Sequence, residues 1–413
     1  MEWTALVGLD WGGKSHAYVV VGADGSRTSG EMESSPEAVH GWMRRTRERY
    51  PAGTIVVALE QGRGSLIYAL AQYDYVAIVP INPRASKSYR DSLRLSGAST
   101  DPSDAALIGE FAHKHLSSLR VWHPDDAVTR RVRTLAADRR SLVDQRTANT
   151  HALAETLKMF FPQALQWFGG ETSCVLRAFL RKWPTLDDLG RATLEQITTE
   201  LRANRCRGVK VRAKTLHDQI REAVPLTRDL TTSSTCSMHA RAQIAIVDVL
   251  DEQIKSYELA IAAAWKEHPD REIFDSLPGA GPVLAPRLAA AFGTDRSRYH
   301  EAFELQCYSG IAPVVEQSGK TRLVHARWGY PTFLHQTFHE FAQASIPHSP
   351  WAKAVYDEQR SHGAGHHEAI RSLAFRWIRI LFRLWQNEET YDEQTHLDRL
   401  RSKDSPIARR IAA

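Results

Sequence analysis

Four carboxylates in the first quarter of the chain have the types and placement for metal-assisted chemistry on phosphate esters. Asp10 lies in an apolar run, ALVGLD, and Glu60 closes a second, TIVVALE. Asp101 and Asp104 open a segment, Asp101-Pro102-Ser103-Asp104, with the marks of a helix start: an acid at the N-cap, proline at the first position and a second acid in the first turn. Their spacing puts both side chains on one helix face. Strand tips and helix starts can converge at one edge of a sheet. Four carboxylates meeting there repel unless divalent cations neutralise them. Two such ions could activate a nucleophile and stabilise the leaving oxygen at a phosphodiester. Each acid also has a plainer reading, as a strand end, a surface group or a helix cap. The combination is far more specific than any member.

The elements that must hold these acids follow from the apolar pattern. Residues 5–10 and 17–22 read as strands, Asp24-Gly25 as a hairpin turn, and residues 27–33 as a third strand. Ser35 and Pro36 begin a helix over 36–50. Residues 54–60 are a buried strand, followed by a helix near 64–73 and a strand, VAIVPI, over 76–81. Three strands, helix, strand, helix, strand is the order of an RNase H-like mixed sheet. The fold class expected is α/β plus all-α.

From about residue 104 the pattern turns helical. Residues 126–160 carry Val128, Val132, Leu135, Leu142 and Leu153 among six arginines: Arg130, Arg131, Arg133, Arg139, Arg140 and Arg146. A solvated face paired with Asp138 and Asp144 is the bland reading, and six arginines with few acids point to a nucleic-acid backbone. Residues 172–236 mix helix and loop. Over 240–266, Val247, Leu250, Ile254, Tyr257 and Ile261 form an a/d seam, serving either packing within the chain or a dimerising coiled coil. A compact helical region begins near Ile273, with a last helix over 369–385, and the polar tail 391–413 reads as frayed.

Composition bounds the remainder. The 413 residues suffice for two or three cores, and 43% hydrophobic with 24% charged is ordinary for a globular chain. A net charge of +5 is too small to diagnose a nucleic-acid binder. Cys174, Cys206, Cys236 and Cys307 form no C-x-x-C pair, which argues against a zinc site or disulfide scaffold and fits a reducing compartment. The first residues read as a strand, not a signal peptide, and no apolar run approaches the roughly 20 residues of a membrane span. The expected location is cytoplasmic, at the nucleoid when bound to DNA.

Other basic and glycine-rich features suit nucleic acid. Arg84, Lys87, Arg90 and Arg94 precede the paired aspartates and could escort a strand to them. Leu277-Pro278-Gly279-Ala280-Gly281-Pro282 resembles the hairpin of a helix-hairpin-helix, where Gly279 and Gly281 let backbone N–H groups face a phosphate. A tight packing turn is the alternative.

VGLDWGGKSH, VALEQG, INPRASKSYR and GASTDPSDA, followed by LPGAGPVLAPRLAAAFG and CYSGIAPVVEQSGK, resemble the DEDD transposases of insertion sequences, the bridge-RNA-guided recombinase family. The likeness spans most of residues 5–160 and 270–390. It implies a RuvC-like domain binding Mg²⁺, or Mn²⁺ in its stead, through Asp10, Glu60, Asp101 and Asp104. It implies that Ser318 attacks the DNA phosphate and forms a phosphoserine link. Lys320, Arg322 and Arg327 could then hold phosphate oxygens. Without the resemblance, Gln317-Ser318-Gly319-Lys320 is a plain polar turn. Donor and target DNA, a structured guide RNA and a homo-dimer or tetramer are the implied partners. The segment Ala326-Arg327-Trp328-Gly329-Tyr330-Pro331, with Leu334-His335 beyond, departs from the basic Gly-Asn and Leu-Arg pattern usual after the serine. That loosens the assignment of individual DNA contacts.

The domains expected are 1–125, RuvC-like and metal-binding; 126–268, a helical and coiled-coil linker or dimerisation region; 269–390, a C-terminal transposase domain; and 391–413, a polar tail. Two other activities compete. A RuvC-like junction nuclease would use the carboxylates with Ser318 as a bystander. An actin-like ATPase would use Asp10-Trp11-Gly12-Gly13-Lys14 as a phosphate loop, but no second such loop follows.

Overall fold

Apolar residues alternate on both sides of two tight turns at the start of the chain, and that segment folds as an antiparallel meander of β1 (Ala5–Trp11), β2 (Ser15–Gly22) and β3 (Arg27–Glu33). The computed structural model describes residues 2–60, 64–93, 100–319 and 321–412. Ser35 caps α1 (Pro36–Arg49), and the crossover returns to β4 (Ile55–Leu59), parallel to β1. A second crossover through α2 (Ser65–Leu70) leads to β5 (Val76–Pro80), parallel to β4. The sheet order β3-β2-β1-β4-β5 is the RNase H-like arrangement. Then come α3 (Pro83–Leu93) and α4 (Asp101–His115).

Alternation along β1 assigns its faces. Ala5, Val7 and Leu9 join the core that includes Trp42 and Met43 of α1 and Ile67 of α2. Leu6 packs with Ile108 and Ala112 of α4. Two residues on, a Cβ added to Gly8 would lie 2.1 Å from Ala105 O and 2.3 Å from Gly109 N. Strand and helix backbones therefore touch at Gly8, and Gly109 is the matching small residue on α4. Contacts that run forward along β1 run backward along α4, so the two elements are antiparallel.

The chain divides into two compact units, residues 1–125 and 126–413. In the second, α5 (Ala127–Phe160) and α11 (Leu230–Trp265) form a long antiparallel pair. Arg139 reaches Glu258 and Arg146 reaches Asp251, the latter at 3.2 Å. Between them in sequence, α6 (Gln163–Trp167), α7 (Cys174–Lys182), α8 (Leu186–Gly190), α9 (Leu194–Ala203) and α10 (Val209–Glu222) close a separate core on one end of the pair. The other end enters a larger core with α12 (Arg271–Asp275), α13 (Gly281–Phe292), α14 (Ala302–Tyr308), α15 (Thr332–Ser345), α16 (Pro350–Ser361) and α17 (His366–Asn387). Strands β6 (Val314–Ser318) and β7 (Thr321–His325) make a two-stranded hairpin outside that core.

Several expectations change. The seam residues Val247, Leu250, Ile254 and Ile261 are buried within this chain, in a helix paired with α5, so the seam serves internal packing. The tail is helical: α18 (Glu393–Ser402) and α19 (Pro406–Ala412) place Leu397 and Ile407 in the large core. The arrangement of apolar residues, not the overall polarity, decides whether such a segment docks. The region after Ile273 is not wholly helical, because the hairpin interrupts it. No helix among the described residues is long and apolar enough to cross a membrane.

Replacing Gly8 by alanine forces two backbones apart and is expected to cost about 1–3 kcal/mol. Gly13→Ala, with nothing within 4 Å of the added methyl, should stay within about 0.5 kcal/mol of the parent. Urea unfolding of both variants, read by circular dichroism, measures the difference.

Candidate active site

Asp10 occupies the Gly8 side of β1, one alternation closer to the strand's end, so it faces the start of α4. Glu60 follows the last residue of β4, the parallel neighbour of β1. Asp101 and Asp104 sit in the first turn of α4, where the helix N-terminus favours negative charge. The N-cap is Thr100, one residue earlier than expected: it forms a capping box with Ser103, which leaves both aspartates free of capping duty.

The acids are close enough to act on one another. Asp10 is half-buried, and its pKa rises from 3.8 to about 6, first through burial and then through the charges of Asp104, Asp101 and Glu60. Arg90 of α3 opposes this and lies 3.2 Å from Asp104 Oδ1. The donor set is all oxygen, which suits a hard divalent ion such as Mg²⁺ or Mn²⁺ better than zinc. Among the described residues, no three His, Cys, Asp or Glu side chains stand at metal-holding separation. The four acids thus converge electrostatically without being drawn to ligand distances. Arg84 and Lys87 are exposed on α3, whereas Arg90 is committed to Asp104. Arg94 lies outside the described residues.

In the second unit, Ser318 is the last residue of β6, exposed beside the turn at Gly319, whose φ is +56°. The polar turn and the nucleophile position are therefore one feature. Lys320 lies outside the described residues. Arg322 is exposed on β7, and Arg327 is half-buried, with its Nη2 3.6 Å from Cys307 Sγ. Glu316 shares the Ser318 face by alternation, and its Oε1 lies 3.1 Å from His325 Nε2. That pair went unseen in the sequence because it needs the β6–β7 register. Val315, Leu323, Val324 and Trp328 are also exposed, with Trp328 at 75%.

Most of the arginines on α5 hold the protein together. Arg139 pairs with Glu258, Arg140 with Asp144 and Glu340, Arg146 with Asp251, and Arg133 donates to Ala290 O. Arg131 is exposed and Arg130 half-buried. Gly279 is a packing glycine, since an added Cβ would lie 2.4 Å from Ala344 O, while Gly281 faces open space. Both have positive φ, and Pro286 is accommodated inside α13.

Residues 7–162 match the DEDD transposase family of IS110 elements, and residues 271–357 match the family described as transposase IS116/IS110/IS902. The chain belongs to the DEDD insertion-sequence transposases. A protein named as a candidate transposase of the IS117 mini-circle from Streptomyces coelicolor is 28% identical over 402 residues, 95% of this chain and 96% of that protein. The 44.8 kDa protein of insertion element IS116 from Streptomyces clavuligerus is 26% identical over 93% of this chain and 95% of its own length. For the 42 kDa protein of IS900 from Mycobacterium paratuberculosis the values are 25%, 94% and 97%.

Membership makes the chain a DNA transposase, an enzyme that acts on DNA. It displaces the ATPase reading, and Gly12 and Gly13 belong to the turn joining β1 to β2. The two matched segments contain all five candidate catalytic positions. The RNase H-like domain of this transposase class is one that works with divalent metal.

Without metal, the folded protein holds a proton on Asp10 between 3.8 and about 6 that the unfolded chain has released. The stability this contributes is lost as pH rises through that window and stays lost above it. Melting temperature in EDTA should fall from pH 5 to pH 7. Mg²⁺ should restore more at pH 7 than at pH 5, and Asp104→Asn should flatten the metal-free profile. Differential scanning fluorimetry at matched ionic strength checks all three.

Proposed function

We propose that this transposase cuts and rejoins DNA through a covalent bond to Ser318, with Asp10, Glu60, Asp101 and Asp104 as a divalent-metal site. The observation that carries the reading is the raised pKa of Asp10, caused by three other acids from β4 and α4. Such mutual repulsion destabilises the fold unless the site serves a cation. Mg²⁺ held there would polarise phosphate oxygens and lower the pKa of a bound hydroxyl.

The chain's own residues divide the remaining work. Ser318 Oγ displaces one oxygen from phosphorus, so a phosphoserine ester replaces a DNA ester and a DNA hydroxyl is released. Attack by a DNA hydroxyl on that ester reverses the exchange, which conserves the ester bond through rejoining. The serine must lose its proton, and a serine hydroxyl is a poor nucleophile until it does. Glu316 and His325 are on the same hairpin, and His325 is shifted towards its protonated form by Ala326 O and Glu316. That pair makes a proton acceptor close to Ser318, with the carboxylate site as the stronger activator.

Arg322 and Arg327, with Lys320, would hold phosphate near the serine, and Arg84, Lys87 and Arg131 would contact the nucleic-acid backbone elsewhere. The cationic Arg130, Arg139 and Arg140 and the glycines Gly279 and Gly281 extend that surface. The family resemblance supports a structured guide RNA as the selector of donor and target DNA. It also supports assembly as a dimer or tetramer, and the exposed Leu323, Val324 and Trp328 around the hairpin suit a partner surface.

Ser318→Ala should abolish the covalent protein–DNA adduct and lower strand exchange by about 10³-fold or more. Asp10→Asn should do the same while leaving DNA binding in place. Adducts are detected on denaturing gels with end-labelled DNA, guide RNA and Mg²⁺. Mg²⁺-dependent cleavage that survives Ser318→Ala without an adduct would establish the nuclease reading instead.

A further inference from the structure

A cavity of about 160 Å³ lies among α5, α11 and the start of α13. Its apolar wall includes Ile261, Pro282 and Val283, and its polar wall is Arg139, Arg287 and Glu258. Pro282 is exposed, so the cavity borders solvent. Arg287 is 3% exposed, an unusual place for a guanidinium. Its Nε donates to Thr337 Oγ1 at 3.2 Å, its Nη1 pairs with Glu340, and the guanidinium lies 5.5 Å from the Phe333 ring centroid. Its Nη2 is buried with no partner, and so is Nε of the neighbouring Arg140.

Acceptors are short in this cluster. Glu340 is shared by Arg140 and Arg287, Glu258 is engaged by Arg139, and Asp144 meets Arg140 from the exposed side. Burial, with the charges of Arg140 and Arg139, pushes the Arg287 pKa down, in the direction expected of a cation lacking anions. The helix behind the cavity adds to the deficit. α13 is 12 residues long, its N-cap Ala280 supplies no side-chain hydrogen bond, and its first turn holds no acid. A helix start left in that state attracts an anion. Two independent features, an orphaned buried cationic N–H and an unmet helix N-terminus, thus meet at one cavity.

We propose that this cavity takes a single phosphate group of the DNA backbone, with Arg287 Nη2 as donor and the sugar against Ile261 and Val283. The choice of DNA rests on the chain's transposase class and not on the serine mechanism. Arg287 then anchors the strand at a fixed point of the second unit without reading its sequence. The site is distinct from the Ser318 hairpin and uses a residue whose charge was not apparent as available.

The test uses the full-length protein in EDTA, so neither strand exchange nor metal enters. Inorganic phosphate, against chloride at equal ionic strength, should raise the melting temperature. Val283→Phe fills the cavity and leaves every charge in place, whereas Arg287→Met with Glu340→Gln removes donor and partner together. Both variants should lose the phosphate effect and bind duplex DNA about tenfold more weakly. Both should show a slope of log K against log salt shallower by about 0.9, the value for one phosphate contact. A folded Val283→Phe protein that keeps the parent slope and the phosphate effect overturns the site. A phosphate effect lost in both variants with the DNA slope unchanged overturns the assignment to DNA, as does a slope change confined to RNA. Failure of the serine reading would appear as missing adducts with these binding results intact.

Discussion

The approach of α4 to β1 at Gly8 is the constraint on which the candidate site depends. A strand and a helix ordinarily stand apart by the thickness of their side chains, which would leave acids on the two elements separated by that layer. Here the missing side chain at Gly8, facing Gly109, removes the layer at one point. The next residue on that face of the strand is Asp10, and the next turns of the helix towards its start carry Asp104 and Asp101. Contact between backbones is thereby converted into contact between electric fields, and Asp10 registers it as a pKa of about 6. Packing on either side of the contact, Leu6 with Ile108 and Ala112, supplies the apolar burial that holds the charges together.

Charge plays the opposite part in the second unit. The arginines of α5 lie beside carboxylates of α11 and α15, so they fix the register of a long antiparallel helix pair. An apolar seam alone would tolerate slippage, because one turn of a helix resembles the next. Paired charges at Arg139–Glu258 and Arg146–Asp251 distinguish one register from its neighbours. Counting basic residues along a helix therefore overstates what remains for a nucleic acid. The residue with spare capacity, Arg287, sits in an apolar stretch where a charge count assigns it no importance.

The sheet was legible because its signals are local. Residues 27–33 form β3 with those bounds, and the Ser35-Pro36 start of α1 follows from cap chemistry that needs no tertiary partner. The acids were legible as a set because strand ends and a helix start are visible in the pattern, although Thr100, not Asp101, takes the cap. What escaped depends on contacts between distant segments. Gly8 looks like any small strand residue until Gly109 is beside it. Glu316 and His325 are nine residues apart and meet only through hairpin register. The segment 391–413 has too few apolar residues to announce a helix, yet Leu397 and Ile407 suffice once a core is already there to receive them.

Ser318 and the acids present complementary deficits. The serine is exposed at a hairpin tip, where water screens charge and a hydroxyl stays protonated. The acids hold more negative charge than the lone Arg90 offsets, so they favour an arriving cation or a polarised donor. Neither can catalyse strand exchange by itself: the hairpin lacks charge to activate its nucleophile, and the carboxylates lack a group able to retain a cut strand. Keeping the two on separate units prevents a reactive serine from forming until nucleic acid and protein are assembled. An enzyme that must break a chromosome only at a chosen place gains from that division, because premature chemistry is blocked by electrostatics and not merely by access.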